Sequence, residues 1–317
     1  MCVTFIEVPS CWNAELLRPL QCKKETDAQK ETIKHKAMKK VLSLTAILIL
    51  AISCKSGKAQ NPKFTEISLP HATLYVYNTG DALGDASYIV EGKKGLVTIE
   101  TPLFKDNLVE FQQFVKELGK PVVAELADYH VGGTYDRPVV MAEGMGSFTK
   151  DGAYAAMMAG FQQGFGEAMV ELPTGKVTEI RFGGKADYAG VEFKFNHGST
   201  TDFPGAAILI DGTAILTHWA PAKAHMNNLQ LGSKVAVDAE LELLQSMKAT
   251  GAKYFLGSHG GAADAEALAF KTVYITKVKE LLGQNDNASA FAEALKAAYP
   301  GLAGEEGVDA LAEALYK

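Results

Sequence analysis

Seven histidines occur in the chain, and five of them are His130, His197, His218, His225 and His259. Four of these five sit where a short apolar run gives way to glycine or turn residues. His130 precedes Val-Gly-Gly, His197 precedes Gly-Ser-Thr, His218 follows Ile-Leu-Thr, and His259 precedes Gly-Gly. Imidazole is the commonest side-chain metal ligand and the natural acid or base near neutral pH. One histidine in such a place is ordinarily a hydrogen-bonding loop residue. Four of them point to a shared centre. His225, in Ala224-His225-Met226-Asn227-Asn228, either lines a substrate mouth or is a polar surface residue.

The elements that must carry these side chains alternate between strand and helix. Thr73–Tyr77, Ser87–Val90 and Leu96–Glu100 are short β-branched or aromatic runs broken by Gly, Asp and Asn, which predicts strands. Leu108, Phe111, Val115 and Leu118 recur at helical spacing and stop at Gly119 and Pro121, which predicts a helix over 105–118. Val122–Leu126 reads as a strand entering a loop that holds Asp128 and His130, and Val139–Ala142 as another strand. Residues 151–166 read as a helix interrupted at Gly160 and Gly164. Strands follow at Val177–Phe182, Val191–Phe195, Ala206–Ile210 and Ala214–Thr217, with Asp211-Gly212 as a hairpin turn. A helix over 239–249, a strand at Tyr254–Leu256 and a helical tail in three pieces complete the pattern. Strand-rich halves followed by helices imply an α/β (α+β) fold with two sheets face to face and helices outside.

The 317 residues carry 31 basic and 37 acidic side chains, a net charge of −6, with 47% hydrophobic residues. That is ample for a buried core. The acidic balance argues against nucleic acid, because neutralising phosphates needs a basic face. Cys2, Cys11, Cys22 and Cys54 are all near the amino terminus, so the body has no disulfide, thiolate ligand or cysteine nucleophile. Gly-x-Ser-x-Gly is absent, and neither Gly183-Gly184 nor Gly260-Gly261 has the context of a phosphate-binding loop. Phe148, Tyr154, Phe161 and Phe165 with nearby methionines form either an apolar lid or, preferably, core packing.

Residues 1–37 lack periodicity and precede Met38-Lys39-Lys40 and an apolar run over 41–53, so they read as an extension ahead of the true start. Residues 38–53 read as a secretory signal. Ala51-Ile52-Ser53-Cys54 resembles a bacterial lipobox, which would place a lipid on Cys54. Cleavage after Lys58-Ala59-Gln60 would instead leave a soluble periplasmic protein. The expected address is the bacterial cell envelope, with membrane contact only through that lipid. Residues 54–72 then form a tether and first strand region, 73–261 the main domain, and 262–317 its helical continuation.

The order of these residues resembles the metallo-β-lactamase superfamily, a four-layer αββα sandwich, here with extra C-terminal helices. The similarity runs roughly from Thr73 to Gly261. Glu100-Thr101 matches the acidic and small residues that end the family's first strands. The signature His-x-His-x-Asp-His-x-Gly-Gly aligns on Glu125-Leu126-Ala127-Asp128-Tyr129-His130-Val131-Gly132-Gly133. His197 matches the third metal histidine, His218 the bridging aspartate, and His259 the last histidine.

Departures from this pattern are specific. Glu125 and Ala127 replace the two leading histidines, Tyr129 replaces the aspartate, and His218 replaces the bridge. Ala127 cannot ligate, and a tyrosine phenol is normally neutral at pH 7. The resemblance therefore implies at most one divalent metal, zinc first with iron or nickel also suited, held by His130, His197, His218 and His259. Asp128 or Glu125 would accept the proton. The expected activity is hydrolysis of a small-molecule substrate by an exported enzyme. The alternatives are a non-catalytic envelope protein that binds a small molecule or metal in the same fold, and a metal-dependent oxidoreductase or oxygen-binding protein, since His-rich sites suit iron.

Overall fold

The computed structural model describes residues 63–132, 137–148, 152–170, 176–199 and 205–317. The extension, the signal segment, Cys54 and the tether up to residue 62 lie outside the described residues. The first sheet runs in the order β1 (Phe64–Ser68), β2 (Thr73–Asn78), β3 (Ala86–Gly92), β4 (Gly95–Thr101), β5 (Val122–Val131), β6 (Val139–Ala142) and β7 (Val177–Ile180). Strands β1 to β4 form an antiparallel meander, and β4 to β7 are parallel. The parallel pairs need crossovers. Helix α1 (Lys105–Glu117) supplies one, and α2 (Met145–Phe148) and α3 (Gly152–Phe165) lie within another.

In the second sheet the spatial order is β13-β12-β11-β10-β9-β8, with β8 (Lys185–Tyr188), β9 (Val191–His197), β10 (Ala206–Ile210), β11 (Ala214–Trp219), β12 (Tyr254–His259) and β13 (Gly261–Ala263). Only β11 and β12 pair in parallel, and α4 (Lys234–Ala249) crosses between them. Helices α5 (Ala265–Gln284), α6 (Ala288–Ala298) and α7 (Val308–Leu315) follow.

Apolar surface is buried in three layers. Val97, Ile99, Leu126 and Met141 of the first sheet meet Phe193, Ile208, Leu216 and Leu256 of the second. The outer face of the first sheet packs Tyr77, Ile89 and Leu96 against Phe111 and Phe114 of α1. The outer face of the second packs Ala207, Ile215 and Phe255 against α4 to α7. Every residue of β4 is buried, because both of its faces are covered. The result is the expected four-layer sandwich. Phe148, Phe161 and Phe165 pack against the central core, so they are core residues.

Several boundaries differ from the sequence expectation. Strand β5 continues through the expected loop to Val131, because amides near its far end find an acceptor in the Glu100 side chain. Helix α3 is continuous through Gly160 and Gly164, because intrahelical hydrogen bonding tolerates a glycine at a modest cost. Helix α4 starts five residues early, at Lys234, because the Ser233 hydroxyl accepts from Ala236 N and caps it. Strands β8 and β13 had no distinct sequence signal, and β1 lies within the first strand region expected over residues 54–72. The hairpin at Asp211-Gly212 is present, with φ of 50° and 62° at the two residues, the left-handed pair that such a turn requires. Asp211 also binds His71, accepting from its backbone N at 2.7 Å and meeting its Nδ1 at 2.8 Å. Among the described residues no helix is long and apolar enough to cross a membrane.

A buried ion pair joins α4 to α5: Lys271 Nζ lies 2.7 Å from Glu240 Oε1. Removing one partner leaves the other charge buried and unpaired. Lys271→Met should therefore destabilise the protein by about 3–5 kcal/mol in urea titrations, and the double variant with Glu240→Leu should recover most of that loss. A double variant no more stable than the single would show that the pair does not act as a unit.

Candidate metal centre

The ends of β5, β11 and β12 and the turn before β3 meet at one end of the sandwich. Three imidazoles gather there. The ring centroids of His130 and His259 are 4.9 Å apart, those of His218 and His259 4.9 Å, and those of His130 and His218 5.9 Å. Parallel strands that end side by side present such a crevice beyond their carboxyl ends.

A turn that the sequence reading passed over supplies the carboxylate. In Thr79-Gly80-Asp81-Ala82-Leu83-Gly84-Asp85, Gly80 and Gly84 have φ of 65° and 67°, open to glycine at little cost. Asp81 Oδ1 accepts from Leu83 N at 2.9 Å and from Asp85 N at 3.3 Å, closing the turn from inside. The Thr79 hydroxyl donates to Asp85 O at 2.7 Å. A backbone bridge then joins Asp85 of the first sheet to His259 of the second.

Asp85 Oδ1 lies 3.0 Å from His259 Nδ1, and Asp85 Oδ2 lies 3.8 Å from His130 Nδ1. His259 Nδ1 donates in line to Leu83 O at 3.1 Å, and the contact to Asp85 is out of line for a hydrogen bond. The Asp85 side chain is only 2% exposed, yet both of its oxygens lack a hydrogen-bond partner. One ligand atom each from Asp85, His130 and His259 lies within 4.8 Å of the others.

Glu100 organises the neighbouring strand end. Its backbone is left-handed, with φ of 53°, at an irregularity in the β4–β5 register between Ile99 and Thr101. Its buried carboxylate accepts from Asp128 N through Oε1 and from His130 N through Oε2, the latter at 3.2 Å, and Oε2 lies 3.5 Å from His130 Nδ1. These bonds extend β5 through His130. Gly132 completes the approach, since a Cβ there would lie 1.6 Å from Pro102 O.

His218 is held neutral. Burial pushes its pKa well below the usual histidine range, and His259 and His130 add to the effect. Trp219 stacks on His259 with centroids 4.4 Å apart. Tyr88 reaches across from the first sheet and donates to Gly257 O at 2.6 Å, fixing β12 just before His259.

The remaining sequence candidates fall elsewhere. His197 ends β9, is exposed, and stacks on Phe182 at 3.9 Å; among the described residues no ring contact joins it to the other three histidines. His197 therefore stands apart from the three clustered imidazoles, with an aromatic partner at the sheet margin. Asp128 is buried, and its Oδ1 accepts from Ala206 N at 3.3 Å, across the gap between the sheets. Burial and then the Glu100 charge push its pKa well up. Glu125 is buried on β5, in register with Thr98 and Val139. His225 is buried in the helical layer, where its Nδ1 meets the Tyr274 hydroxyl at 3.0 Å.

Asp85 was missed because nothing in a Gly-Asp turn marks it as facing a histidine 174 positions later. The available signal was two Gly-Asp pairs in one short turn directly before a strand.

No family model and no curated protein matches the sequence. Solved structures do match. The stereoselective inverting sec-alkylsulfatase Pisa1 from Pseudomonas sp. is 15% identical with a TM-score of 0.55, covering 79% of this chain and 49% of that one. A double mutant of the same alkylsulfatase matches at 16% identity and the same TM-score, so the chain spans about half the length of the enzyme it matches. A metallo-beta-lactamase family protein from Thermus thermophilus is 16% identical with a TM-score of 0.47, covering 80% of this chain and 92% of that one. At this identity the likeness to the alkylsulfatase is one of fold alone. The strand ends of this chain hold an Asp/His/His group suited to a metal ion.

The burial of His225 has a pH consequence. Burial lowers its pKa in the folded protein. Below the unfolded value near 6.5, the unfolded chain takes up a proton that the folded one resists, so stability falls as the pH drops through that range. The urea midpoint should be lower at about pH 5.5 than at about pH 7.5, and His225→Gln should narrow the gap. An unchanged gap would remove His225 from the account.

Proposed function

We propose that the protein is an exported, single-metal hydrolase of the metallo-β-lactamase fold, with Asp85, His130 and His259 holding the ion. The observation that supports this most directly is the Asp85 carboxylate. It is buried, both oxygens lack a hydrogen bond, and it faces two imidazoles. A buried carboxylate in that condition is costly unless a cation compensates it. Two histidines and one carboxylate form a donor set used by zinc hydrolases, and the same set suits iron.

A divalent ion in this group would supply a Lewis acid that polarises an ester and makes water acidic near neutral pH. The protein's own part is positioning. Leu83 O and Asp85 fix the Nδ1 edge of His259, and Glu100 fixes His130 through its backbone and its ring. Trp219 shields His259 from solvent on one face. His218, kept neutral, contributes a lone pair or an N–H beside the reacting centre without adding positive charge. Asp128, buried two residues before His130 and accepting from Ala206 N, and Glu125 on the same strand are the candidate proton acceptors.

The test is metal content and turnover together. Purified without a polyhistidine tag and supplied with zinc or iron, the wild type should retain about one ion, and His259→Ala should lose it. Asp85→Asn should weaken binding by at least about tenfold. Turnover of p-nitrophenyl sulfate, p-nitrophenyl acetate or a chromogenic cephalosporin should fall in parallel. Absence of bound metal under all of these conditions would overturn the proposal. Stable metal binding with no turnover of any ester would favour the alternative, a binding protein that keeps the fold.

Export is part of the same proposal, supported by the charged start and apolar run over 38–53 and by the lipobox-like Ala51-Ile52-Ser53-Cys54. In a bacterial host, labelled palmitate should enter the wild type and not Cys54→Ser. A wild type that is unlabelled but cleaved after Gln60 would make it soluble periplasmic, and uncleaved protein in the cytoplasm would refute export.

A further inference from the structure

A groove of about 430 Å³ opens on the outer face of the second sheet, where α4 lies across β9, β10 and β11. That volume is within the range of small-molecule sites. Its floor is apolar, made by Ala207, Leu209, Ile215, Leu243 and Met247. Most of the polar groups around it are already used by the protein. The Asn196 amide donates to Ala207 O at 3.2 Å, Ser246 Oγ to Leu243 O at 2.8 Å, and Thr250 Oγ1 to Met247 O at 2.6 Å. The His197 ring is stacked on Phe182.

Two charges remain. Lys194 on β9 and Glu242 on α4 line the same groove, and among the described residues neither forms an ion pair with the other or with a third group. Opposite charges beside one apolar floor, too far apart to pair directly, match a molecule that carries both charges and an apolar body. We propose that this groove binds an apolar zwitterion of the α-amino-acid class. Its carboxylate meets Lys194, its ammonium meets Glu242, and its side chain lies on Leu209, Ile215 and Met247. The site faces α4 and shares no residue with the imidazole cluster, so it stands apart from the metal reading.

Titration calorimetry of the full chain tests this with L-leucine, isocaproate, which lacks the ammonium, and isoamylamine, which lacks the carboxylate. L-leucine should bind, and each singly charged analogue should bind at least about tenfold more weakly, the worth of one charge-assisted hydrogen bond. Lys194→Met and Glu242→Gln should each weaken leucine binding by about tenfold with unchanged circular dichroism. His259→Ala should leave it unchanged, which separates this groove from chelation of leucine by an ion at the imidazoles. The proposal is overturned if millimolar leucine gives no heat, if the analogues bind equally well, if both groove variants bind as wild type, or if His259→Ala abolishes binding.

Discussion

A carboxylate that grips backbone amides sets the geometry on which the rest of this site depends. Glu100 sits in the left-handed region at a break in the β4–β5 register, a conformation that costs a non-glycine residue about 1–3 kcal/mol. That position turns its side chain onto the amides of Asp128 and His130. Charge-assisted bonds to two buried donors offset the backbone cost. Without them those amides would have no acceptor at the end of a parallel strand, and His130 would lie on a loop rather than on a fixed strand end.

The same need to satisfy buried polar groups explains why the carboxylate at the centre comes from an unexpected place. The familiar signature is depleted here: Glu125, Ala127 and Tyr129 occupy positions where ligands would be expected. Asp85 arrives instead from the turn before β3, closed by Asp81 and tied by a backbone bridge to His259. Two of the four strand-end histidines, His130 and His259, face it, His218 stands beside both, and His197 stacks on Phe182 at the margin.

What the sequence made legible was the part written in local pattern. The periodicity of Leu108, Phe111 and Val115 announced α1, Asp211-Gly212 announced a hairpin, and the β-branched runs marked most strands. Breaks at residues 283–287 and 300–307 separated the three tail helices. The failures were tertiary. Nothing near residue 128 announces that β5 continues, because the acceptor that extends it is 28 and 30 positions earlier. The early start of helix α4 was hidden because Val235 and Val237 are β-branched and weak helix formers, and the cap at Ser233 is a single polar residue among turn residues. The resemblance supplied the fold and three of the clustered histidines, and it could not supply Asp85, which lies outside the motif that carries the likeness.

The donor set straddles two halves of the molecule. Asp85 and His130 extend from one β-layer and His259 from the other, with Tyr88 strutting the same seam. An ion seated among them would act as a rivet through the sandwich, and its departure would loosen the very layers whose spacing defines the crevice. Binding of the ion would then add its own free energy to the apolar filling between the layers, so that occupancy and the stability of the crevice would rise and fall together.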